Sequence, residues 1–205
     1  MRHSSGDHPQ GEVGAEDVGR ARLYALLARL LASPPASDVL ETLTRLQGDG
    51  TEIGQALAEL ARCAADTGAD RAEDEYTVLF YGQGAGGELL PYASHYQTGL
   101  LYDQPLAALR GDLADLGIAP ASTGGEPEDH IAFVCDAMAG LIEGRFGAPP
   151  PLAAQQAFFD AHLAPWAADF FTDLESTQAS PLYAAVGRLG RVFVAIEAEA
   201  FKMAA

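Results

Sequence analysis

The chain has 205 residues, enough for one domain with a sizeable core, and its 48% hydrophobic and 20% charged composition excludes wholesale disorder. Its 12 basic against 29 acidic residues leave a formal charge of -17. A field of that sign repels nucleic-acid phosphates and anionic lipid headgroups and suits a basic partner, although it also serves plain solubility.

Residues 1–15, rich in Gly, His, Ser and Pro, read as a disordered tail without the apolar run of a secretory signal. No stretch of the chain reaches the roughly 18 apolar residues of a membrane span. Cys63 and Cys135 stand far apart, outside any CxxC or Cys/His metal spacing, and are expected as buried thiols in a reducing compartment. The expectation is a cytoplasmic protein whose residues 16–205 form one helical domain.

In chain order, Val18, Ala21, Leu23, Tyr24, Leu26, Leu27, Leu30 and Leu31 recur at helical spacing until Pro34-Pro35 closes the run. Ser37 and Asp38 open a second helix expected to reach Gly48, and a third spans about Glu52 to Asp66. The stretch Tyr76-Thr77-Val78-Leu79-Phe80-Tyr81 would suit a strand, but its acidic lead-in and the lack of a partner strand favour helix. The glycine-rich loop Gly82–Gly87 follows, then a short helix opened by Pro91 and another opened by Pro105. A loop over Ala119–Gly125 leads to a helix with Pro127 in its first turn and Ile131, Val134, Met138 and Leu141 on its buried stripe. Pro165 divides an aromatic-rich stretch, Phe158 to Phe171, into two helices, and the last helix runs from about Pro181 to Met203. The fold class expected is all-α, a single domain of about ten helices with no internal repeat.

Several motifs fall away on chemistry. Gly82, Gly84 and Gly87 spell GxGxxG, but that fingerprint needs a strand before it and a βαβ unit around it, and neither can be assembled here. The five histidines, His3, His8, His95, His130 and His162, form no HxxxH or ExxH pair, so no metal and no cofactor are expected. Ser94 lies in no GxSxG elbow. Trp166 sits in a Phe-rich stripe and reads as core. Glu126, Pro127, Glu128 and Asp129 have an ordinary explanation as helix-start chemistry, which leaves His130 unexplained. On a helix, Tyr92, His95 and Tyr96 share a face, either as core residues with polar tips or as the wall of a peptide groove.

Taken in order, Glu75-Tyr76-Thr77-Val78-Leu79-Phe80-Tyr81-Gly82, Leu90-Pro91-Tyr92-Ala93-Ser94-His95-Tyr96, Glu126-Pro127-Glu128-Asp129-His130-Ile131 and Phe158 to Trp166 resemble the TorD/DmsD/NarJ family of redox-enzyme maturation chaperones. The resemblance covers about Asp17 to Phe201. It implies a TorD-like all-helical protein, not an enzyme, that binds an apo-molybdoenzyme, often by its twin-arginine leader, while the molybdenum cofactor is inserted. It further implies a leader-binding surface made by Pro91, Tyr92, Ser94 and Tyr96 with Glu126, Pro127, Asp129 and His130, to which the neighbouring His95 is added. Ala93 stands where the family often has Glu, and His95 where an apolar residue is usual. The spelling of residues 87–94 looks more like members associated with formate dehydrogenases. The family also implies a monomer able to form a domain-swapped dimer.

In this reading Asp129, with Glu128 or Glu126, accepts forked hydrogen bonds from guanidinium groups beside an apolar wall of Tyr92 and Tyr96. His130 orients Asp129 or lends pH dependence near its reference pKa of roughly 6.5. Two other classes stay open on the residues alone: a helical enzyme or nucleotide-binding protein using Asp129 and His130 as an acid–base pair, and a plain helical scaffold.

Overall fold

The computed structural model describes residues 14–82, 87–118 and 126–204. Over these residues the chain forms ten α-helices and one π-helical turn, and among them there is no strand. The helices are α1 (Ala15–Ala32), α2 (Ser37–Leu43), α3 (Glu52–Ala65), α4 (Ala69–Tyr76), α5 (Ala93–Thr98), α6 (Gln104–Asp115), α7 (Ile131–Glu143), α8 (Leu152–His162), α9 (Ala167–Glu175) and α10 (Pro181–Ala204). The π turn, Thr77–Tyr81, continues α4. Most of the expected tail, the middle of the glycine loop (83–86) and the whole Ala119–Gly125 loop lie outside the described residues.

Helix α7 is the centre of the molecule. Ile131, Val134, Cys135, Met138, Leu141 and Ile142 are all essentially buried, so the helix is apolar nearly all round, as an interior helix must be. It lies along α1, whose Tyr24, Leu27, Leu30 and Leu31 face it and the rest of the core. The long α10 packs on α9 and α3. Close approach is built into that contact: a Cβ on Gly187 would stand 2.2 Å from the Glu175 backbone nitrogen, and one on Gly190 2.2 Å from the Phe171 ring. The amino-terminal half of α1 is tied to α10 by polar bonds. Arg20 donates Nε to Glu197 Oε1 (2.8 Å) and a second nitrogen to Oε2 (2.9 Å), while Tyr24 donates its hydroxyl to the same carboxylate. Glu197 is fully buried, so this pair fixes geometry more than it adds net stability.

Three expectations need correction. The second helix ends at Leu43 rather than Gly48, because the Arg45 and Leu46 amides turn back in tight three-residue bonds to Thr42 and Leu43. Residues 71–81 are helical, but the last turn widens to π, and Gly82 with φ of 65° closes it by donating to the Thr77 carbonyl at 2.7 Å. Pro91 and Pro127 do not open helices: α5 starts at Ala93 and α7 at Ile131, and both prolines sit in extended or turn backbone before them.

Candidate functional site

The two motif segments, about 35 residues apart in sequence, are stitched together. The Ala93 amide donates to the Asp129 carbonyl (2.9 Å) and the Ile131 amide to the Pro91 carbonyl (2.8 Å), so Tyr92 and His130 form an antiparallel bridge. Asp129, 1% exposed, adds a side-chain bond: its Oδ2 accepts the Ser94 amide at 2.9 Å. Its other oxygen is buried and has no partner among the described residues. Ser94 is itself fully buried and its hydroxyl accepts the Asp103 amide at 3.3 Å, which holds the turn after α5 against the same frame. Asp129 and Ser94 are therefore framework, not exposed contacts.

His130 has the job that sequence left unassigned. It is the N-cap of α7, with Nδ1 accepting the Ala132 amide at 3.1 Å, and its ring meets that of Tyr92 edge to face at 5.2 Å. Accepting at Nδ1 requires the neutral ring with its proton on Nε2. Burial enforces that state, pushing the His130 pKa down to about 4 even though Glu126 and Asp129 nearby pull it up. It does not titrate near 6.5, contrary to the sequence reading. Glu128 is also accounted for: it is buried and takes a 2.7 Å ion pair from Arg110 of α6.

Of the acidic motif residues, Glu126 alone is exposed. The Tyr92 hydroxyl donates to it in a short hydrogen bond, and burial together with that carboxylate holds the phenol protonated far above its ordinary range. Tyr92 is not on α5 but at its N-cap, so it shares no helical face with His95 and Tyr96. Tyr96 points the other way, stacking between Trp166 (5.7 Å) and Phe170 (5.9 Å) and donating its hydroxyl to Asp173 at 2.9 Å. His95 sits half-buried with its ring edge-on to Tyr96 at 5.6 Å. Trp166 is core, as expected, with its indole N–H on the His162 carbonyl.

Beside Glu126 and His130 runs an open groove of about 550 Å³ between α1 and α7, floored by Ala25, Ala28, Ala32, Ala132 and Phe133. Small residues on one wall and an aromatic on the other give a largely apolar trough, edged by the Glu126 and Asp136 carboxylates and by the Arg29 guanidinium. Sequence reasoning missed this groove and also Tyr81 and Tyr102, which stand exposed. The apolar run Leu100-Leu101-Tyr102 between Gly99 and Pro105 was the available signal, since exposed apolar runs in a loop call for a reason. Among the described residues no group of three His, Cys, Asp or Glu could hold a metal, and no helix is long and apolar enough to cross a membrane.

An interior helix flanked by helical layers, with two motif segments bridged at one end, makes the described residues an all-helical fold. The family model described as nitrate reductase delta subunit matches residues 46–172. The chain belongs to that family, the TorD/NarJ group. It is 35% identical over 112 residues to proteins named Chaperone protein TorD from strains of Vibrio cholerae serotype O1, a match covering 51% of this chain and 51% of theirs. The chain thus matches about half the length of these curated relatives. A crystal structure of a candidate redox enzyme maturation protein from Archaeoglobus fulgidus superposes with a TM-score of 0.58 at 22% identity, covering 92% of this chain and 97% of that one. That likeness carries the fold.

Proposed function

We propose that this chain is a redox-enzyme maturation chaperone, a binding protein without turnover that holds an apo-molybdoenzyme through a basic leader segment while its cofactor is inserted. One observation carries the reading: two separated motifs are bridged by backbone hydrogen bonds beside an open, largely apolar groove edged by the Glu126 and Asp136 carboxylates and Arg29. Such a surface fits a peptide with a cationic head and an apolar body. Family membership and the names of the curated relatives support it. The acidic surplus would draw in a basic segment, and two free, buried cysteines fit a reducing cytoplasm.

Within this reading the nine motif residues divide by task. Pro91, Ser94, Pro127, Asp129 and His130 build the frame; Glu126 and Tyr92 meet the ligand; His95 and Tyr96 border it from the α9 side. The client is proposed to be a formate dehydrogenase and the working form a monomer. Against the acid–base alternative, Asp129 and His130 are both buried, with one Asp129 oxygen on the Ser94 amide and His130 Nδ1 on the Ala132 amide.

The test is capture from the native host with the tagged chain, followed by mass spectrometry and molybdenum assay of what is bound. Recovery of a molybdopterin-dependent oxidoreductase in its metal-free form supports the proposal. Recovery of the loaded enzyme only, or of no such enzyme, refutes it.

A further inference from the structure

A cavity of about 290 Å³ lies between α5, α6, α7 and α8. Its walls are apolar at Ala93, Leu109, Val134 and Ala161 and polar at Gln97, Gln104 and His162. The α6 wall is tied down at three points: the Ser94 hydroxyl accepts the Asp103 amide, Arg110 pairs with buried Glu128, and Asp112 meets His162 Nε2 at 2.7 Å. His162 is 6% exposed, with its ring against Phe158 at 4.9 Å and its carbonyl accepting the Trp166 indole N–H. A carboxylate only accepts, so the Nε2 that meets Asp112 carries the proton and Nδ1 of the neutral ring carries a lone pair. That lone pair has no hydrogen bond among the described residues. The fully sealed polar side-chain atoms that lack a partner there belong to Asp129 and Tyr183, so His162 Nδ1 is not sealed and opens on the cavity its residue lines.

The lining contains no Asp, Glu, Lys or Arg, so an ion entering the cavity would lose water without meeting an opposite charge. Thr98 is already engaged, donating to the Ser94 carbonyl and accepting the Leu100 amide. The Gln97 and Gln104 carboxamides are exposed and without a hydrogen bond among the described residues, each offering a donor and an acceptor side by side. That pair complements the cis N–H/C=O edge of a cyclic amide, whose flat faces suit apolar walls and whose N–H can be given to a lone pair. The volume lies at the small end of ligand cavities, which run about 300–1,000 Å³, so one ring or two fused rings fill it. We propose that this cavity is a binding site for a small neutral cyclic amide, which donates its N–H to His162 Nδ1 and pairs with the Gln97 and Gln104 carboxamides. Asp112 is a positioning residue that fixes the imidazole tautomer from outside the cavity. The site uses none of the groups assigned to the client peptide, so it stands independently of that reading.

The experiment is titration of the full chain, labelled with nitrogen-15 in its histidine rings, with uracil, hypoxanthine and 1,3-dimethyluracil, followed by long-range proton–nitrogen NMR. Uracil or hypoxanthine is expected to move the His162 Nδ1 signal, leave those of His95 and His130 in place, and bind with a Kd of about 1 mM or tighter. The ring without an N–H, 1,3-dimethyluracil, should bind at least about tenfold more weakly. Replacing both Gln97 and Gln104 with alanine should weaken uracil by about three- to tenfold, and Ala108→Leu, which fills the cavity from the exposed side of α6, should abolish binding while circular dichroism shows the fold intact. Asp112→Ala should shift His162 toward the tautomer with its proton on Nδ1, in the same spectra, and weaken uracil. The site is refuted if neither uracil nor hypoxanthine moves His162 Nδ1, if 1,3-dimethyluracil binds as well as uracil, or if the double glutamine variant binds as the wild type does.

Discussion

Replacing Asp129 with alanine should destabilise the fold before it touches any ligand. The carboxylate is 1% exposed and accepts the amide of Ser94, which is itself fully buried. Removing it leaves that amide without a partner at the start of α5. An orphaned buried donor costs about 1–3 kcal/mol, and the lost bond is charge-assisted, at the stronger end of that range. Water entering the vacated space would recover part of this, so the expected net loss is about 2–3 kcal/mol. For a chain of this length that is a fall in Tm of roughly 5–10 °C. Asp129→Asn keeps an acceptor oxygen and should lose less than about 1 kcal/mol. Urea denaturation followed by circular dichroism, with thermal melts alongside, separates the two. The reasoning is refuted if Asp129→Ala melts with the wild type and yet loses peptide affinity, since the carboxylate would then be a contact and not a frame.

Other outcomes follow from the same geometry. His130 is buried neutral with its pKa lowered to about 4, so protonation favours the unfolded chain: its contribution is complete above the unfolded value of roughly 6.5 and is lost as pH falls from there toward 4. Urea midpoints between pH 7.5 and 4.5 should therefore drop more steeply for wild type than for His130→Asn, which caps without titrating. Gly187→Ala puts a Cβ 2.2 Å from the Glu175 backbone nitrogen and should cost about 3 kcal/mol or more, seen as a lowered Tm, whereas Gly111→Ala on α6 meets nothing within 4 Å and should gain about 0.5–1 kcal/mol. Glu197→Gln removes the buried carboxylate from Arg20, which keeps Asp17 and Gln155, and should cost about 1–3 kcal/mol by the same denaturation assay. Raising salt should slow association of an arginine peptide and leave its dissociation rate nearly constant, as read by surface plasmon resonance.

What the sequence conveys and what it withholds divide along a physical line. Helical periodicity exposes α1, α3 and α10 because each buries apolar residues at helical spacing, while α7 shows as a long apolar run between its cap and Gly144. The same logic places Trp166 in the core. The motif residues were legible as a set but not in their tasks. Acidic residues beside a proline imitate a helix start, yet here they occupy a turn, and the cap is the histidine after them. Helical geometry grouped Tyr92 with Tyr96, but the chain is still extended at Tyr92, so the two rings part company. Neither the bridge between Tyr92 and His130 nor the pairing of Asp129 with Ser94 leaves any local pattern, since both join distant segments. The π turn is equally silent, because one added residue per turn alters no composition.

The bridge between the two motifs has a thermodynamic consequence. On the proposed reading, a peptide arriving at this surface would find its frame already fixed by backbone amides and a buried carboxylate. The entropic burden of recognition therefore falls on the peptide alone. Calorimetry across temperature should return a heat-capacity change matching the apolar area that groove and peptide bury, with no excess from folding of the protein. The surface would then take different apolar sequences with similar heats, and its selectivity would come chiefly from where the peptide carries its charge.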